Sequence, residues 1–216
     1  MNNLFERLQV LGVELGKDKK EFKSHEKIDL QKILGGEWID SPNGKTLHIQ
    51  QDRNLCAVQG KVPLNCLKIE SSMFNLLNVS HVLDEEETAI SPTQVCFFDT
   101  ETSSLNIGSG AFVFLIGFSH YLPDGNLRID QFFLPHPADE KAFIGIVQNY
   151  LKDFSIISSY NGKSFDVPML RSRFILNDME EDGLEKTHLD LLFLARSLWK
   201  RRLESCRLAE IENSIL

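Results

Sequence analysis

The sequence predicts an α/β protein in which helices pack on a mixed sheet, with a small α+β region before it. Three observations carry this. Apolar runs at Val95–Asp99, Ala111–Ser119, Leu127–Leu134 and Ile156–Tyr160 have strand length and are rich in Val, Ile and Phe. Phe143, Ile144, Val147 and Leu151 recur at helical spacing. The resulting order, three strands then a helix, a strand and another helix, needs both antiparallel and parallel pairing in one sheet.

Each element has its own local cause. The strand at Val95 is apolar until it ends in an acid. Pro123-Asp124-Gly125-Asn126 supplies the turn into the strand at Leu127. The helix over Asp139–Leu151 places Phe143, Ile144, Val147 and Leu151 on one face. A second helix is expected over Ser164–Leu176, with Ser164 as its N-cap and Pro168 tolerated in the first turn. A third is expected over Leu189–Leu203.

The acidic run Asp84-Glu85-Glu86-Glu87, followed by Ser91-Pro92, marks a boundary near 85–93. The expected division is residues 1–90, an α+β region with no assignable role, and residues 91–216, the domain that carries chemistry. In the first part Asn3–Leu15 reads as weakly helical, and Ile28–Leu34 is a short amphipathic helix closed by Gly35-Gly36. Residues 37–40 and 45–49 alternate like two strands around Ser41-Pro42-Asn43-Gly44.

The 216 residues are 42% hydrophobic and 25% charged, ordinary for a soluble globular chain, and long enough to bury a core unaided. No run approaches the roughly 18 apolar residues of a membrane span, and the first residues lack a signal layout. Cys56, Cys66, Cys96 and Cys206 form no close pair, so they read as reduced thiols and not as a zinc site. A cytoplasmic protein without membrane association is expected. The net charge of −8 argues against a protein that coats nucleic acid. It argues less against one whose acids hold metal ions.

The chemistry concentrates in two segments. In Phe97-Phe98-Asp99-Thr100-Glu101-Thr102, a strand places Asp99 and Glu101 on the same face. Two carboxylates about 4 Å apart repel by on the order of 4 kcal/mol at an effective dielectric near 20. A hard divalent cation such as Mg²⁺ or Mn²⁺ removes that cost. Taken alone, the plainer reading is a strand end with two solvated acids. In Tyr160-Asn161-Gly162-Lys163-Ser164-Phe165-Asp166, a strand ends, Asn161-Gly162 turns the chain, and Asp166 lands in the first turn of a helix. Taken alone, Asp166 is there to stabilise the helix N-terminus.

Together the two segments resemble the first two motifs of the DEDD (DnaQ-like) 3′–5′ exonuclease superfamily, with its ribonuclease-H-like fold. The resemblance is closest to the YprB-like family of bacterial ribonuclease-H-like exonucleases. It extends to Phe114-Leu115-Ile116-Gly117, to His188-Leu189-Asp190-Leu191-Leu192, and to Ala195, Arg196, Leu198 and Trp199, covering about residues 93–212. It implies two-metal hydrolysis of phosphodiester bonds at DNA or RNA 3′ ends. Asp99 would be shared between the ions, with Glu101 and Asp166 each holding one. It further implies substrate-binding roles for Leu105, Asn161 and Lys163: Leu105 would wedge against the terminal base, and Asn161 would orient the turn or contact the strand near Asp166.

The sequence departs from the family pattern in its third motif. No tyrosine follows Asp166, and five residues after His188 stands Phe193 instead of an acid. The domain is therefore expected to be incomplete at its C-terminal end. Asp190 is a candidate substitute ligand, although a helix cap explains it as well. Ser104 stands where the family has glycine before the leucine. Arg171, Arg173 and Lys200-Arg201-Arg202 are candidate phosphate contacts, although solvated helix faces explain such charges too. The competing class is a non-catalytic nucleic-acid- or protein-binding module on the same scaffold. A phosphatase built on an aspartyl nucleophile is excluded because its second acid would be Asp and here is Glu101.

Overall fold

The computed structural model describes residues 29–54, 58–59, 62–63, 91–104, 110–181 and 183–215. The helical reading of Asn3–Leu15, the acidic run at 84–87, Cys56, Cys66 and Leu105 lie outside the described residues.

In chain order the elements begin with α1 (Leu30–Leu34), capped by Asp29 accepting from the Lys32 N–H. Then come β1 (Glu37–Ser41), β2 (Gly44–Arg53) and a minor ladder of β3 (Val58–Gln59) with β4 (Val62–Pro63). There follow β5 (Val95–Thr102), β6 (Val113–Tyr121), β7 (Leu127–Phe133), α2 (Glu140–Leu151), β8 (Ile156–Ser159), α3 (Asp166–Leu176), β9 (Thr187–Asp190), α4 (Leu191–Trp199) and α5 (Leu208–Ile215).

The main sheet has seven strands in the order β1-β2-β7-β6-β5-β8-β9. Pairing is antiparallel from β1 to β5 and parallel from β5 through β8 to β9. This is the expected mixed sheet flanked by helices. All four residues of β8 are buried, as a parallel strand covered on both faces requires.

One face of the sheet carries the core. Cys96 and Phe98 of β5, Ile116 and Phe118 of β6, Phe132 of β7 and Ile157 of β8 alternate with the period of two that a strand imposes. Phe143, Ile144, Val147 and Leu151 of α2 and Val167, Met169, Leu170 and Phe174 of α3 pack onto them. Each such side chain contributes about 1.5–3 kcal/mol by leaving water.

Three expectations are corrected. Residues 187–190 form a third strand on the parallel side of the sheet, not the approach to a helix, because Ser158 and Ser159 offer Leu189 and Asp190 a ladder. The third helix then runs from Leu191 and ends at Trp199, short of Leu203. The second helix starts at Asp166, and Ser164 does not cap it. The Ser164 N–H instead closes the turn onto the Asn161 carbonyl at 3.1 Å.

The hairpin of β1 and β2 precedes the boundary expected near 85–93, yet it shares this sheet. β2 runs along β7 from Leu47↔Phe133 to Arg53↔Leu127. Buried Asp130 of β7 fastens it. Its Oδ1 takes the Gln50 amide at 2.9 Å and lies 2.7 Å from His48 Nε2, while Oδ2 takes the Tyr150 hydroxyl of α2 at 2.6 Å. Cys96 and Cys206 are free thiols, and no described helix is long and apolar enough to cross a membrane.

Candidate active site

The strand that carries the first two acids runs past its expected end at Asp99 to Thr102. Asp99 and Glu101 are both exposed and share a face, while Thr100 between them is buried on the core side. Beside the acids the ladder to β6 shifts register between Glu101 and Thr102. Such irregularities re-aim side chains where a sheet meets a site. Neither the Asp99 nor the Glu101 carboxylate has a hydrogen-bond or ion-pair partner among the described residues.

Asp166 reaches the same place from α3. It is 4% exposed, and its Oδ1 accepts the Thr100 hydroxyl. Burial pushes its carboxyl above the usual carboxylate range. The Thr100 hydrogen bond opposes that shift, and the negative charge of Asp99 reinforces it. Asp99 and Glu101 thus share the exposed face at the end of β5, and Asp166 lies near enough to feel the Asp99 charge while its carboxylate is turned to Thr100.

The turn that positions Asp166 is built from short-range necessities. Asn161 has φ +70°, a left-handed conformation asparagine tolerates. Gly162 is obligatory for space. A Cβ there would lie 2.3 Å from Ser159 Oγ and 3.1 Å from Asp166 Oδ2. Ser159 Oγ accepts the Gly162 N–H at 3.1 Å and contacts His188 Nε2 at 2.7 Å. Asn161 and Lys163 have exposed side chains on this turn.

Asp190, the candidate fourth ligand, has both carboxylate oxygens engaged by backbone. Oδ1 accepts the Asn161 N–H at 2.8 Å and the Leu192 N–H at 3.0 Å, and Oδ2 accepts the Lys163 N–H at 3.1 Å. It caps α4 and clamps the turn. Its geometry is that of a positioning residue.

His188 reports on this clamp. Burial, then the nearby Lys163 charge, push its pKa down from 6.5 to about 4. The unfolded chain therefore takes up the proton first as pH falls. Stability present at neutral pH is expected to be lost progressively between about 6.5 and 4. Thermal melts across that window should show a weaker decline in His188→Gln than in the wild type. Parallel declines would exclude His188 as the cause.

Oxygen donors of this kind suit a hard divalent cation. Among the described residues no three His, Cys, Asp or Glu side chains converge on one point as they stand, because Asp166 is turned to Thr100. The fit rests on two unpartnered carboxylates side by side, with a third, Asp166, close enough to feel the charge of Asp99. Asp99 and Glu101 would hold the ion, and Asp166 would complete the set.

The basic candidates divide. Arg173 is buried in a bidentate pair with Glu140, and Arg171 pairs with Glu181, so neither is directed at a phosphate. Lys200, Arg201 and Arg202 are exposed after α4. The arginines that line a cleft beside the turn are Arg196 and Arg207. Arg196 enters the sequence reading only within the helix motif, and Arg207 has no local signal at all.

The chain belongs to the ribonuclease H superfamily, whose family model RNase_H_2 matches residues 96–216. Among individual proteins it is similar to YprB, an uncharacterized protein of Bacillus subtilis (strain 168). The two are 32% identical over 148 residues, which is 67% of this chain and 34% of YprB. Two structures of exonuclease I are also similar in part. The ExoI/SSB-Ct complex is 17% identical with TM-score 0.47, over 57% of this chain and 36% of that one. E. coli exonuclease I in complex with a dT13 oligonucleotide is 18% identical with TM-score 0.45, over 55% and 35%. The chain spans about a third of the length of these relatives.

Proposed function

We propose that this chain is a metal-dependent 3′–5′ exonuclease, hydrolysing phosphodiester bonds at DNA or RNA ends with Mg²⁺ or Mn²⁺ in a cytoplasmic setting. The observation that carries the reading is the unpartnered pair Asp99 and Glu101 with Asp166 beside it. Asp99, Glu101 and Asp166 would hold a divalent cation there, which when bound would supply acidification of a water and screening of the phosphodiester charge. In a two-ion form, Asp99 would be shared, and Glu101 and Asp166 would each hold one ion. Thr100 fixes the Asp166 carboxylate. Asn161 and Lys163 present the exposed turn to the substrate backbone, and Leu105 is proposed to lie against the terminal base.

One observation favours a second reading, a non-catalytic nucleic-acid- or protein-binding module. Asp190, the candidate fourth ligand, is committed to backbone N–H groups. Release of nucleotides from a 3′-labelled single-stranded oligonucleotide separates the two. Cleavage is expected with Mn²⁺ or Mg²⁺, and Asp99→Ala should lower it by at least about a hundredfold, as loss of a principal charge-stabilising group does. Equal absence of cleavage from wild type and variant at high protein concentration would leave the binding module.

A further inference from the structure

Arg196 of α4 and Arg207, just before α5, are exposed, and neither guanidinium donates a hydrogen bond or forms an ion pair among the described residues. Both line one cleft of about 460 Å³, together with Tyr160, Asn161 and Ser205. The cleft wall is fixed to the candidate active site. The Tyr160 hydroxyl donates to the Cys206 carbonyl, and the next residue, Asn161, is held by Asp190. In a chain of net charge −8, two unpaired guanidinium groups in one concavity define a local site for an anion.

A second recess, about 390 Å³, shares Tyr160 and Leu208 with this cleft and runs along the open sheet face to Asp99. Its walls include Phe97, Gly117, Ile129 and Gln131. Ser158 also lines it, 0% exposed, with a hydroxyl that has no hydrogen-bond partner among the described residues. Mostly apolar walls with a few polar atoms suit a flat heteroaromatic ring. A base enters such a recess only when it is unpaired and unstacked.

We propose that the two concavities form one track for single-stranded nucleic acid. Arg196 and Arg207 hold backbone phosphates of the incoming strand, and the recess takes the base of its end beside Asp99. The track rests on the exonuclease reading for its direction but not for binding itself.

The test is fluorescence anisotropy of a labelled single-stranded oligonucleotide of roughly 12 nucleotides, in the span of known single-strand sites. EDTA keeps binding apart from cleavage. Arg196→Ala with Arg207→Ala is expected to weaken binding about tenfold. It should also flatten the plot of log affinity against log salt by about 1.4, two phosphates at about 0.7 each. Lysine at both positions should restore most of the slope. Gly117→Leu fills the recess from a position whose added Cβ meets nothing within 4 Å. It is expected to weaken binding and leave the salt slope unchanged. Unchanged melting temperatures show that the variants fold.

The track is overturned if the wild type does not bind, if the double alanine variant keeps affinity and slope, or if duplex or an acidic peptide binds better than single strand. Binding in EDTA without cleavage in Mn²⁺ supports the track and removes the exonuclease reading. Cleavage with an unaltered KM in the arginine variants does the reverse.

Discussion

Arg173→Ala is expected to destabilise the protein by about 3–5 kcal/mol, the cost of leaving a buried charge without its partner. Arg173 is 8% exposed, and its Nε and Nη2 donate to the two Glu140 oxygens at 2.6 Å each. Its Nη1 donates to the Ala111 carbonyl at 2.8 Å. One side chain thus ties α3 to the start of α2 and to the segment entering β6. After truncation, Glu140 retains the Asn177 amide at 3.0 Å. Urea unfolding followed by circular dichroism measures the loss. Replacing both Glu140 and Arg173 by leucine should recover most of it, because two apolar groups leave no buried charge without its counter-charge. A single-variant loss under about 1 kcal/mol would mean the pair behaves as a solvated one.

Asp190→Ala is expected to cost about 3 kcal/mol or more. It removes a helix cap worth about 1 kcal/mol and strands two further N–H groups of a half-buried turn at roughly 1–3 kcal/mol each. The carboxylate is 4% exposed and serves Asn161, Lys163 and Leu192 together. The sign in metal-free buffer separates the two roles open to it. A positioning residue loses stability there on replacement. A metal ligand gains stability, since removing one of several clustered negative charges relieves repulsion. Thermal melts in EDTA decide it, and Asp190→Asn, which keeps one acceptor oxygen, should fall between.

The parts of the fold visible in the sequence are those with local causes. Alternating apolar residues place β5, β6 and β7, and helical spacing places α2 within a residue of its observed start. Asp99 and Glu101 are legible because a strand sorts alternate residues to one face, and Asp166 because Asn161-Gly162 announces its turn. β9 is not legible. Its four residues, Thr-His-Leu-Asp, carry no pattern of their own and become a strand only against β8. The Thr100–Asp166 hydrogen bond spans 66 residues, and the Asp190 clamp spans 27 and 29, so no window of sequence contains either. Arg173 reads like any helix-surface cation until the fold sets Glu140 against it.

The seating of β2 on β7 has a consequence for how the chain avoids its own kind. Gln50 faces Asp130 at a sequence separation of 80, so this ladder closes late compared with the hairpins around it. Until it closes, Leu127–Phe133 is an edge strand whose outward N–H and C=O groups invite any extended segment that passes, including the same strand of another molecule. The early part of the chain, which contributes none of the candidate acids, thereby serves as a guard rail. It occupies the templating edge and moves the sheet margin to β1, a strand of five residues bearing Glu37 and Asp40, where charge discourages further growth.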